Sequence, residues 1–176
     1  RNLRSFPLMT HFFGLPYIDV RVSFNSFIPI DLEEGLAGRL VNYYIDRLIE
    51  QPTLHDKIEF EIVFSCYTLN LKQKLNKLDD YGFSELDKEL IYNSLSKLTN
   101  KIIHPKTGLW KKDYLKIKKL NERRKLLYSS SEDILEKIYW LLEDGKRYGT
   151  LPFSGLARAG FIAVQMLRSI VELNIF

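Results

Sequence analysis

Two sets of polar residues in this 176-residue chain have types and spacings that chemistry could use. The first lies in LPYIDVRVSFNSFIP, residues 15–29, where Ile18, Val20, Val22 and Phe24 alternate with Asp19, Arg21, Ser23 and Asn25. A period of two predicts a strand over 18–24, with one apolar face and one face bearing an acid, a base, a hydroxyl and an amide. A second strand is predicted over 57–68. There Ile58, Phe60, Ile62, Phe64 and Cys66 alternate with Glu59, Glu61, Val63, Ser65 and Tyr67. If the two strands pair, Glu59 and Glu61 share a side with Arg21. An arginine between carboxylates is either a plain cross-strand ion pair or an anchor for a phosphate or carboxylate, which the planar guanidinium fork suits.

The second set lies near the C-terminus. Arg158, Gln165, Arg168 and Glu172 are spaced by seven, three and four, so on a helix they form one stripe. The rest of that helix is apolar almost all round, and Gly155, Ala157, Ala159, Gly160 and Ala163 permit close approach of neighbours. Either the stripe is a solvated seam with Arg168 and Glu172 as an i,i+4 pair, or it faces a cleft with Arg158 at the mouth. The substrate-binding candidates are therefore Asp19, Arg21, Ser23, Asn25, Glu59, Glu61 and Arg158.

Other residues point to no chemistry. The run Lys111 to Lys125 is basic but broken by Asp113 and Glu122, and its charges circle the helix, as on a solvated face. His11, His55 and His104 lack a second His or Cys at metal-ligand spacing. His104, before Pro105, reads as a residue closing a helix, where a cation is favourable. Cys66 falls on the apolar side of its strand and reads as packing. The sequence contains no phosphate-binding loop, dinucleotide glycine motif, nucleophile elbow or zinc signature, so no catalytic and no metal-binding residue is assigned.

The elements that would position these side chains are mostly helical. Met9 to Phe13 reads as a short helical turn. Asp31, with Glu34 at the capping-box spacing, opens a helix whose apolar face runs from Leu36 to Ile49. A short helix follows over Asn70 to Asp79. Ser84 caps the next, with Asp87 at the box position, and its stripe runs from Leu86 to Ile102. Residues 109–128 use Leu109, Tyr114, Ile117, Leu120 and Leu127 as anchors. Ser131 is expected to cap a helix ending near Gly149, and Pro152 to open the last one. The fold class expected is mainly α (α+β), a helical bundle-like domain with a small two-stranded β element near the N-terminus. It forms a single domain over 1–176, with a strand-helix-strand portion over 1–70 and a helical portion over 71–176. The strands permit parallel or antiparallel pairing.

Composition bounds the partners. A formal charge of +4 is too small and dispersed for a nucleic-acid module, which argues against nucleic acid. The most apolar run, Ala159 to Leu167, is too short to span a bilayer. One cysteine allows no internal disulfide and fits a reducing compartment, so a cytoplasmic location is expected. The start at Arg1 and the end just after an apolar helix lead to the expectation of a piece of a larger multidomain protein.

Four stretches carry a resemblance: FPLMTHFFGLPYIDVRVSFNSFIP, LVNYYIDRLIEQPTLHDKIEFEIVFSCYTLNL, LTNKIIHPKTGLW and LEKIYWLLEDGKRYGTLPFSGLARAGFIAVQMLRSIVELNIF. Together they resemble the middle helical region of bacterial proteins similar to phosphoenolpyruvate synthase and pyruvate phosphate dikinase, over nearly the whole chain. The resemblance implies an ATP-dependent phosphotransferase as parent, using ATP and Mg, with nucleotide-binding and phosphohistidine domains as neighbours in the same chain. The present segment would be a non-catalytic intermediate domain, on the substrate side or as a scaffold, with an anionic small molecule as possible ligand and no cofactor of its own. The family's phosphohistidine follows glycines, with a Thr two residues before it. His11 follows Thr10 directly in LMTHFFG and departs from that pattern, so the role is not carried over. The alternative is a helical protein-interaction module without a small-molecule site.

Overall fold

The structure is a computed structural model that describes residues 7–175. It is mainly helical, with a two-stranded antiparallel sheet near the N-terminus, as expected for the class. The strands, however, are not the expected ones. β1 (Met9–Phe12) pairs with β2 (Leu15–Ile18), Phe12 opposite Leu15, across the two-residue turn Phe13–Gly14. Both turn residues have positive φ, 52° and 80°, which matches the right-handed twist of a tight hairpin. Met9–Phe12 is thus strand and not helical turn. Phe12 and Tyr17 stack edge to face across the pair, ring centroids 5.4 Å apart.

The stretch read as the first strand is helix α1 (Val20–Asn25). Asp19 caps it, its carboxylate accepting the Val22 N–H at 3.0 Å. The alternation misleads because Val20 and Phe24 are also four residues apart, hence on one helical face, and Phe24 is fully buried. The second expected strand is also absent. Ile58–Glu61 is one helical turn, α3, and residues 62–70 run irregularly. Ile62 and Val63 are both buried, which a half-buried strand does not allow for neighbours.

α2 (Glu34–Glu50) begins two residues later than the Asp31 box predicts. Glu33 is the cap, accepting from Gly35 N at 3.1 Å and Leu36 N at 3.2 Å. Asp31 instead accepts from the Ser94 hydroxyl at 2.8 Å. α4 (Leu71–Leu75) continues as a 3-10 turn, Asn76–Tyr81, closed by Gly82 in the left-handed region. α5 (Glu85–Ile103) carries the expected reciprocal cap: Asp87 accepts from Ser84 N and Oγ, and the Ser84 hydroxyl accepts from Asp87 N. α6 (Leu109–Ser129) is the basic helix; its expected anchor Tyr114 is exposed. α7 (Ile134–Asp144) is capped by Asp133, not Ser131. A six-residue π-helical stretch, Gly145–Thr150, then leads into α8 (Leu151–Glu172). The expected break at Gly149 and Pro152 is therefore a change of helical pitch.

The chain divides into two compact units, residues 1–98 with 165–176, and residues 99–164. The core of the first is built from Phe24, Leu40, Tyr44, Leu71, Leu78, Ile91 and Leu95. Tyr44 is wholly buried, its ring meeting Phe24 and Phe64, and its hydroxyl accepts the Phe64 N–H at 3.1 Å. Burial pushes that hydroxyl's pKa far above its ordinary value, so it stays neutral. Arg39 fastens α2 to α5 through Asp87 at 2.8 Å, with its guanidinium over the Phe83 ring.

The second unit is organised around α6 and α7. Arg123 bonds Asp144 at 2.7 Å, and Lys119 and Arg123 both lie over the Tyr148 ring. At the start of this unit the loop after α5 is tight. His104 Nδ1 accepts from the N–H groups of Lys106 and Thr107, and its carbonyl accepts from Gly108 N and Trp110 Nε1. Nδ1 of His104 thus closes the turn after α5 through backbone N–H groups.

Candidate functional site: a charged cleft

The irregular segment after α3 explains how the first unit builds a cleft. Without a strand ladder, its backbone groups must find other partners. Side chains of α8 supply them. Just before the segment, in α3, Gln165 Nε2 donates to the carbonyls of Glu59 and Phe60 at 3.1 and 3.4 Å. The Ser169 hydroxyl accepts the Leu69 N–H at 3.3 Å and donates to Met166 O. Gln165 and Ser169 are buried and four residues apart, so they fasten one helical face to the segment.

One turn round the helix, Arg168 and Glu172 border a cleft of about 430 Å³, a volume suited to a small molecule. Its other charged lining groups are Glu61, Lys74 and Lys77. Arg168 bonds Glu61 at 3.2 Å and lies over the Phe60 ring, 5.0 Å from its centroid. Glu172 accepts from the Asn70 amide and pairs with Lys74 at 3.2 Å. Asn70 is in turn oriented by the Thr68 hydroxyl, which donates to its Oδ1 at 3.0 Å. Burial pushes the Glu172 carboxyl up, but the Asn70 amide and the Lys74 ammonium outweigh it and hold the carboxyl below its ordinary value. Among the described residues Lys77 is in no ion pair.

Three cations thus face two carboxylates, and both carboxylates are already engaged. Lys77 lines the cleft outside these pairs, while Arg168 and Lys74 each hold one carboxylate. Groups of these types, so placed, are chemically able to hold a small anion.

The sequence-derived candidates distribute unevenly over this geometry. Glu61 lines the cleft, and Glu59 contributes its backbone carbonyl beside it. Asp19, Arg21, Ser23 and Asn25 do not form a strand face with them. Asp19 is a helix cap, Arg21 donates to Asn42 Oδ1 at 2.8 Å, and the Ser23 carbonyl accepts from the Ser26 hydroxyl. Of the C-terminal stripe, Gln165, Arg168 and Glu172 line the cleft. Arg158 belongs to the second unit. The expected i,i+4 pairing of Arg168 with Glu172 gives way to separate partners, Glu61 and Lys74.

Asn70, Lys74 and Lys77 were not among the candidates. Their signal is present: positions 70, 74 and 77 recur at helical spacing on the polar side of α4 and the turn after it. In the sequence it is overlaid by the apolar Leu71, Leu75 and Leu78 that anchor the same segment. Among the described residues no group of His, Cys, Asp and Glu is arranged to hold a metal ion, and no helix is long and apolar enough to cross a membrane. No protein-family model matches the chain, and neither a curated protein nor a solved structure matches it.

Proposed function

We propose that this chain is a non-catalytic, substrate-side domain of a multidomain phosphotransferase similar to phosphoenolpyruvate synthase and pyruvate phosphate dikinase. Its cleft holds an anionic small molecule. The observation that carries the reading is the convergence of Arg168, Lys74 and Lys77 on one cleft, with Arg168 aimed by Glu61 and Phe60. Guanidinium and ammonium groups are the donors that carboxylates and phosphates require. The resemblance of the four sequence stretches supports the choice of parent. ATP, Mg and the phosphohistidine would then belong to neighbouring domains of that parent, and this segment would present or shelter the acceptor.

The test is an NMR titration of the chain with phosphoenolpyruvate, pyruvate and inorganic phosphate. The reading expects saturable shifts confined to residues 60–77 and 165–172 with at least one of them. Phosphoryl transfer from ATP by the chain alone would overturn it, as would shifts confined to other residues.

A second reading, a helical interaction module without a small-molecule site, is favoured by one feature. Leu167 and Val171, four residues apart on α8, are each 62% exposed. That reading expects no saturable shift with any of the three anions.

A further inference from the structure

A second cleft, of about 520 Å³, opens between α4 and α5 within the first unit. A gap of that size between helices is a common place for a small molecule. α5 lines it with Glu89, Tyr92 and Asn93, on the same helical face as Lys88. Leu75 and Asn76 line it from the other side.

Lys88 sits at the centre of this arrangement. It is 7% exposed, and an ammonium taken out of water needs partners. Asp79 and Glu85 both accept from it, each at 2.5 Å. An ammonium has three N–H groups, so one is left over on a side chain that lines the cleft. Asn76, Glu89 and Asn93 are uncommitted as well. Among the described residues their side chains are in no hydrogen bond or ion pair within the protein. One side therefore holds donors and acceptors that converge on the same space and lack partners there.

We propose that this cleft binds a neutral polyhydroxylated molecule, a hexose or a similar sugar. Charge disfavours an ionic ligand. The charged lining residues are Lys72, Lys88, Glu85 and Glu89, whose formal charges cancel. An anion would meet the two glutamates and a cation the two lysines, whereas Lys74, Lys77 and Arg168 outnumber Glu61 and Glu172 in the other cleft. A hydroxyl both donates and accepts. Neighbouring hydroxyls of one sugar can thus donate to the Glu89 carboxylate, accept from the Lys88 ammonium, and do both with the amides of Asn76 and Asn93. A ligand with only acceptors, such as a phosphate, leaves Glu89 unanswered. The C–H face of a sugar ring needs apolar surface, which Leu75 and the Tyr92 ring supply. Lys72 lies over that ring, 5.2 Å from its centroid, and its exposed side chain is free to move aside.

The test is an amide NMR titration of the chain, in which the asparagine side-chain NH2 groups are also resolved. The probes are D-glucose, D-galactose and D-mannose, followed by the uronate and the 2-amino counterpart of the hexose that binds. At the affinity per atom usual for small ligands a hexose should bind with a Kd on the order of 1 mM, so titration to about 50 mM saturates the site. Saturable shifts should appear over residues 85–93 and at the Asn76 and Asn93 amides. Shifts over 85–93 mark this cleft, since those of the anion cleft fall in 60–77 and 165–172. The two charged counterparts should bind at least about fivefold more weakly than the neutral sugar. Asn93→Ala, at an exposed position, should weaken binding at least about fivefold with the rest of the spectrum unchanged. Lys97→Gln, exposed on the same helix but outside the cleft, should leave it as in wild type. Shifts that stay linear with all three hexoses, or that gather at other residues, overturn the proposal. So does a charged counterpart that binds as tightly as the neutral sugar, or wild-type affinity in Asn93→Ala.

Discussion

Arg168 and Glu61, separated by 107 residues in sequence, meet at 3.2 Å beside the cleft of the first unit. Both side chains are nearly half exposed, so the pair adds little to stability, on the order of 0.5 kcal/mol. Its consequence is positional. The guanidinium is held between a carboxylate and the face of Phe60, at the cleft wall, where an anion can take the carboxylate's place.

The segment that forms this wall depends on Tyr44. Its buried hydroxyl accepts the Phe64 N–H, a group that has no strand neighbour to bond. Tyr44→Phe keeps the ring and removes the acceptor, which should destabilise the chain by about 1–3 kcal/mol in urea unfolding. A change below about 0.5 kcal/mol would mean that water replaces the hydroxyl.

In the second unit, Gly108 admits no side chain. A Cβ there would lie 2.5 Å from the carbonyl oxygens of both Ile102 and His104. Those oxygens belong to a helix end and a bonded turn, and neither can swing aside. Gly108→Ala should cost about 1–3 kcal/mol in thermal unfolding, in contrast to Gly38→Ala, whose Cβ would meet open space. Equal melting temperatures for the two variants would contradict this account of the turn.

Among the carboxylates held below their ordinary pKa, Asp87 and Glu172 contribute to the acid limit. Burial pushes the Asp87 carboxyl up, but the N–H and hydroxyl of Ser84 and the Arg39 guanidinium outweigh it and hold it below its ordinary value. Glu172 is lowered in the same sense. A carboxyl with a lower pKa folded than unfolded adds stability above the unfolded value and loses it as pH falls through the folded one. Stability should therefore be level from pH 7 to about 5 and decline below about pH 4. With solvent screening, each group should account for less than ~1 kcal/mol. Asp87→Asn should flatten part of the decline, and an unchanged acid slope would contradict the assignment.

The helices were legible because burial of one face imposes a period that few other structures share. The stripe expected over Leu36–Ile49 packs from Leu36 to Tyr44 and that over Leu86–Ile102 from Ile91 on, while Ile49, Leu86 and Leu90 are exposed. The strands were misplaced because short alternation is ambiguous. Val20 and Phe24 satisfy a period of two and a helical step of four at once, and one capping aspartate decides between them. Over 58–66 the alternation is genuine in sequence, but Tyr44 and Gln165 satisfy backbone groups that a strand would have used. The Phe13–Gly14 hairpin lacks the usual Asn or Asp before its glycine, so its turn signal is weak. The wall of the cleft that α8 supplies, Gln165, Arg168 and Glu172, is visible as a stripe. The rest comes from α4 with the turn after it, and from residues 62–70, whose irregular path no local pattern records.

In the proposed function the cleft, and Arg168 within it, holds an anion. The most direct measurement is the dissociation constant for phosphoenolpyruvate in wild type and in Arg168→Gln, with Arg21→Gln and Arg158→Gln alongside. The account predicts at least about tenfold weaker binding for Arg168→Gln, ~1.4 kcal/mol, and little change for the other two. Wild-type affinity in Arg168→Gln, or loss of binding in Arg21→Gln with Arg168→Gln intact, would contradict it.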